Sequence, residues 1–206
     1  HGVKRLILTS RRGLDSPGAP ELIEQLLELG ADDVQIAACD VSQEVAIRAI
    51  LEGIPAAHPL RGVFHLAGVL HDSVLANMTP EQLTMVLEPK VNGAWHLHQA
   101  TANLELAHFV LFSSAAGTLG GPGQANYAAA NTFMDMLVSK RRKLGLAGVS
   151  LAWGFWEQAG VGMTSHLGAA ELARMSRQGI VAMSVDEGLA LLDDAIGRPE
   201  TCLMPV

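Results

Sequence analysis

Residues His108 to Asn131 read HFVLFSSAAGTLGGPGQANYAAAN. The unbroken apolar run Phe109-Val110-Leu111-Phe112 meets two serines, then a glycine-rich turn, then an alanine-rich segment of helical period. A strand that is apolar at every position is buried on both faces, so helices must cover both sides of its sheet. The same unit recurs outward in both directions. Predicted strands are Val3–Ser10, Val34–Cys39, Gly62–Ala67, His108–Ser113, Gly148–Trp153 and Cys202–Val206. Between them the helical period predicts Glu21–Leu29, Gln43–Ile54 after Ser42 as N-cap, a helix from Thr79-Pro80 to about Leu87, Val91–Thr101, Ala125–Leu144 and Val185–Ile196. Pro89 should break or kink the chain between the middle pair. Ser184 with Glu187 reads as a capping box for the last helix. Strands alternating with helices in this way specify an α/β fold, a doubly wound parallel sheet.

The chain of 206 residues fits one domain, 1–206. Residues 154–183 depart from the pattern as a Gly-rich stretch with a short polar helix, Ala169–Gln178, and read as a lid over a site. Fourteen Lys+Arg against 21 Asp+Glu give a formal charge of −7, which argues against a nucleic-acid or anionic-membrane partner. With 49% hydrophobic and 17% charged residues the chain is not disordered. No run approaches the roughly 18 apolar residues of a membrane span. No signal peptide opens it, so a reducing, cytoplasmic setting is expected. It begins on His1 rather than Met, which reads as a piece of a longer chain. His96 and His98 point different ways on a helix, and the eight histidines show no ligand spacing, so no metal is expected.

Ligands of open α/β sheets bind at the carboxyl ends of strands. The first strand ends in Ser10-Arg11-Arg12-Gly13, where an arginine can pair with a ribose 2′-phosphate or can simply form a solvated turn. After the second strand, Asp40-Val41 can accept from an adenine amino group, or Asp40 can cap the next helix. After the third, Ala67-Gly68 leaves room for a flat ring against the backbone. The fourth ends at Ser114; Tyr127, the single tyrosine, follows thirteen residues on, and Asn131 four later on the same helix face. A phenol titrates near 10, so proton donation at neutral pH calls for a nearby cation. Lys90, at the Pro89 break, is the candidate; Lys140 and Lys143 lie in a basic run, Lys140–Lys143, that reads as a solvated helix end. No Gly-x-Gly-x-x-Gly turn opens the chain, so the first βα unit of such a sheet is missing. The cluster Gly117, Gly120, Gly121, Gly123 has the wrong spacing to replace it.

Together, Ser10–Gly13, Cys39–Val41, His65–Leu70, Pro89–Trp95, Phe112–Gly117 and Tyr127–Asn131 resemble the ketoreductase domain of modular polyketide synthases, in the short-chain dehydrogenase/reductase superfamily. The resemblance runs the whole length. It implies a Rossmann-like sheet and reduction of a β-ketoacyl thioester, held on an acyl carrier protein, by NADPH. It would give carbonyl polarisation to Ser114, proton donation to Tyr127, tuning of the phenol to Lys90 and support of that lysine to Asn131. Classical short-chain dehydrogenases carry the lysine four residues after the tyrosine, whereas this family exchanges lysine and asparagine. Leu70-His71-Asp72, Pro122 and Asn126 resemble one stereochemical subtype, and Leu119 stands where the other has tryptophan; a D-configured product follows. Trp153 through Met163 would line the substrate side, with other megasynthase domains as neighbours. Two alternatives stay open: a non-catalytic fragment bracing a megasynthase module, and a nucleotide-sugar epimerase or dehydratase.

Overall fold

Alternation along β4 sets the core. In a computed structural model, which describes residues 2–157, 177, 179 and 181–206, this strand spans His108–Ser114. Phe109 and Leu111 face one side, with Val63, Ala94, Met134, Leu137 and Val138. Val110 faces the other, with Val149, Leu151, Trp153, Met183 and Ala195. Successive strand side chains point to opposite faces, so both must be covered by helices. The covering elements are α4 (Gly93–Thr101) and α6 (Ala125–Lys143) on the first face and α7 (Val185–Ile196) on the second.

In chain order β1 (Arg5–Ser10), α1 (Ala19–Glu28), β2 (Asp33–Ala38), α2 (Glu44–Glu52), β3 (Gly62–His65) and α3 (Pro80–Leu87) precede α4. The short α5 (Ala116–Leu119) follows β4, and β5 (Val149–Trp153) and β6 (Cys202–Leu203) complete the sheet. All pairings are parallel, in two groups: β1 with β2, and β3-β4-β5-β6. Among the described residues β1 and β3 thus each present one unpaired edge. This corrects the expectation that every strand is buried on both faces. β5 is buried throughout, but β1 alternates exposed and half-buried positions because one of its two faces, that of Arg5, Ile7 and Thr9, is left uncovered.

Three further expectations change. Pro89 does not break the helix: α3 passes into α4 through a π-helical turn, Glu88–Asn92, whose last bond runs from the Gly93 N–H to the Glu88 carbonyl. Proline lacks the N–H that a regular turn requires, and the wider turn absorbs that loss. Gln43, not Ser42, is the N-cap of α2. Arg141 is not solvated but 1% exposed. It follows Met134 and Leu137/Val138 at helical spacing, so it falls on the buried stripe of α6. There its Nε donates to the Ala147 carbonyl at 3.0 Å, Nη1 meets His98 Nδ1 at 3.0 Å, and the guanidinium lies 3.7 Å over the Phe109 ring. Both capped starts behave as read: Thr79 with Gln82 and Ser184 with Glu187 form reciprocal capping boxes. The lid helix Ala169–Gln178 and Met163 lie outside the described residues, apart from Arg177.

Candidate active site

Ser114 is the last residue of β4 and Tyr127 the third of α6, so a strand end and a helix start meet where the spacing placed them. Gly117 makes the meeting close, since a Cβ there would lie 3.2 Å from the Cβ of Asn131. The glycine cluster therefore works as a packing turn, with Gly120 and Gly123 at positive φ, values that side chains rarely adopt. Asn131 is fully buried; its Nδ2 donates to the Tyr127 carbonyl at 2.8 Å and its Oδ1 has no partner.

Lys90 enters from the π turn, 2% exposed. Its Nζ donates to the Phe112 carbonyl at 3.1 Å and stands 5.2 Å from the centre of the Tyr127 ring. Phe112 lies one residue beyond the last β3–β4 pair, His65 with Leu111, so the lysine meets a carbonyl past the end of that strand pairing. Burial pulls the Lys90 ammonium down to about 8 against the opposing pull of Asp135. Tyr127 moves upward: burial raises its phenol, Ser114 and Asn131 hydrogen bonding partly offsets this, and the Asp72 charge adds to the rise. The anticipated lowering by a cation does not figure among the causes; desolvation dominates and only the two hydrogen bonds oppose it.

Gly68 does not offer its face to open space. A Cβ there would lie 2.8 Å from Lys90 Cε, so the glycine makes room for the lysine stem. Ala67 is half-buried beside it. Asp40 accepts from the Ser42 amide at 3.0 Å and its hydroxyl at 2.8 Å, a local turn just ahead of α2, while Val41 is half-buried. Ser10 Oγ lies 2.7 Å from Ser16 Oγ, and with Arg11 and Arg12 these residues line an open cleft of about 520 Å³.

The loop after β3 is fastened to the start of α6. Asn126 Nδ2 donates to the His71 carbonyl at 2.9 Å and the Gln82 carbonyl at 3.4 Å, while its Oδ1 accepts from the Tyr127 amide at 2.8 Å. Gln124 Nε2 donates to Asp72 at 3.1 Å, and the Ser73 amide to the Gly123 carbonyl at 2.8 Å. Leu70 is half-buried; Leu119 and Pro122 are exposed. Trp153 is buried between Phe112 and Trp156, with ring centres at 5.4 and 4.8 Å, so its ring belongs to the core. Sequence reasoning missed Gln124 and His65. The period-two alternation of β3 puts His65 on the buried face with Val63, and that was the available signal.

Residues 1–158 match the family model for the KR domain. The chain is 54% identical over its whole length to the polyketide synthase GfsA of Streptomyces halstedii, and 49% identical to the mycoketide-CoA synthase of Mycobacterium tuberculosis. It spans only 3% and 5% of those proteins. A solved structure of A-type ketoreductases from a modular polyketide synthase superposes with a TM-score of 0.91 at 44% identity, covering 98% of this chain and 42% of that one. Family model, relatives and fold agree, and the chain belongs to the ketoreductase (KR) domain family of polyketide synthases.

Proposed function

We propose that this chain reduces a β-ketoacyl thioester, carried on an acyl carrier protein, to the β-hydroxyacyl thioester. The observation that carries the reading is the convergence of Ser114, Tyr127, Lys90 and Asn131 at one strand end. Ser114 donates a hydrogen bond to the ketone oxygen and polarises it. Tyr127 gives its proton to that oxygen as negative charge develops, and its raised pKa keeps the proton in place at neutral pH until then. Lys90, mostly protonated below about 8, holds a positive charge over the ring that the departing proton leaves anionic. Asn131 fixes the first turn of α6 and leaves a buried acceptor, Oδ1, to support the lysine. Solvent then returns a proton to Tyr127.

The cofactor we assign is NADPH, which when bound supplies the hydride to the β-carbon. The residues fit it: two exposed guanidiniums and two hydroxyls border one cleft at the end of β1, a donor set suited to a ribose 2′-phosphate. Ser10 and Arg11 would hold that phosphate, with Asp40, Val41, Ala67 and Gly68 flanking the rest. We further propose that another strand, continuous with a phosphate-binding turn, inserts between the unpaired edges of β1 and β3. Phe64 in β3 and Leu66 just after it are exposed apolar side chains that a further neighbour would cover.

Leu70, Asp72, Leu119, Pro122 and Asn126 support a D-configured alcohol, a reading that rests on these loop residues and not on likeness to a structure described as A-type. The small share of each synthase that the chain spans supports other megasynthase domains as neighbours. The test is chiral analysis of the product formed from NADPH and a β-ketoacyl thioester by the parent polypeptide. A D-alcohol supports the whole reading, an L-alcohol overturns the subtype, and no alcohol overturns the reaction.

A further inference from the structure

His65 is the last residue of β3, in register with Leu111 and sharing the buried face with Val63. That face belongs to the apolar core under α4, yet the position holds an imidazole that is 3% exposed and whose Nε2 has no partner. Packing alone favours an apolar side chain there. What the ring touches gives it another role. A Cβ on Gly93 would lie 3.0 Å from Cε1 of the ring, so Gly93, whose N–H closes the π turn, is packed directly on the imidazole. The carbonyls of Pro89 and Lys90, in the same turn, also bear on the ring. Three residues further along, Gly68 abuts the stem of Lys90. One short segment, His65 to Gly68, therefore supports both the backbone that launches the lysine and the methylenes that carry it.

We propose that His65 is a positioning residue for Lys90, its uncharged ring buttressing the π turn 88–92 and fixing the direction in which the amine leaves it. The inference rests on the function proposed above. Burial, then the Lys90 charge, lowers the His65 pKa to about 4, while the Pro89 and Lys90 carbonyls pull the other way. Between about pH 4 and 8 the ring is consequently neutral while Lys90 is charged. Lys90 is itself faced by Asp135 and by the Tyr127 ring, both from α6.

The experiment uses the parent polypeptide, with His65→Leu to fill the space without polarity and His65→Asn as a second variant should the first fail to fold. Three quantities are read: melting temperature, kcat and KM with NADPH and a β-ketoacyl thioester, and the titration of the Lys90 side chain by NMR, assigned through Lys90→Met. The expected result is a folded protein whose kcat falls at least tenfold with KM within about threefold, and a Lys90 titration midpoint displaced by more than half a pH unit. Unchanged kcat and an unchanged Lys90 titration in a folded variant overturn the proposal and leave His65 a core residue. If the unaltered polypeptide gives no turnover, the reaction reading fails, and the Lys90 titration alone then decides the positioning claim.

Discussion

Lys90 illustrates at the residue scale how a site of this kind works against stability. Its folded pKa of about 8 lies below the ordinary lysine value of 10.5, so the unfolded chain binds the proton more tightly. The stability is fully present above 10.5 and lost as pH falls to about 8, leaving a penalty of about 3 kcal/mol at neutrality. Lys90→Met should therefore abolish turnover while raising the melting temperature by a few degrees, of order 2–4 °C per kcal/mol recovered. A calorimetric scan beside the activity assay checks both. In the intact enzyme turnover should decline as pH rises through about 8, where the ammonium is lost. His65 has the same sign of linkage. Its pKa falls from 6.5 to about 4, so stability present above 6.5 drains away as pH falls toward 4, by about 3 kcal/mol in total. Denaturant midpoints at pH 7.5 and 5 sample about 2 kcal/mol of it, and His98, lowered first by burial and then by Arg141 and Lys140, adds in the same direction. Ser114, Tyr127 and Asn131 were legible as neighbours from spacing, because a strand end meets one face of the following helix, and Lys90 from the Pro89 disturbance, where a side chain can turn inward. Arg141 was not, because a run of four basic residues looks solvated unless the stripe of Met134, Leu137 and Val138 is followed one turn further.

At the scale of elements, two junctions hold the site. Asn126 is buried and ties the loop after β3, α3 and the Tyr127 amide with three hydrogen bonds. Asn126→Ala leaves buried polar backbone groups unpaired, for a loss of about 2 kcal/mol, and loosens Tyr127. The expected outcome is a lower melting temperature together with a less selective alcohol configuration, read by chiral chromatography. The second junction is Trp156, whose ring fills the place that a Cβ on Gly188 of α7 would take. Trp156 pairs with Met183, and the Glu157 amide donates to the Met183 carbonyl at 2.7 Å, so this packing closes the base of the segment between them. Gly188→Ala should cost about 1–3 kcal/mol by overpacking, visible as a shifted denaturant midpoint. Strand and helix existence was legible from apolar runs and caps. The π turn was not, because proline announces a disturbed helix without specifying whether the chain bends or widens its turn.

At the scale of the whole molecule, the described strands fall into two parallel groups, β1-β2 and β3-β4-β5-β6, and the cleft of Ser10, Arg11, Arg12 and Ser16 opens at the end of β1. Arg11→Ala should weaken NADPH by about tenfold or more while leaving NADH little changed, because only one of them carries the 2′-phosphate. Fluorescence titration with both nucleotides checks it. The parallel α/β architecture could be read from the sequence, since buried strands announce themselves by apolar runs. The absent glycine turn also announced an interrupted sheet, but not which strands carry the unpaired edges, because each strand shows only its own pattern. The central claim is that one strand end and one helix start form a proton-donating ketoreductase site. Its most direct test is the loss of nicotinamide absorbance when the parent polypeptide and its Tyr127→Phe variant meet NADPH and a β-ketoacyl thioester. Turnover is expected in the parent, with a drop of roughly 10²-fold or more in the variant while NADPH still binds. Equal turnover in both, or none in a parent that binds NADPH, would contradict that claim.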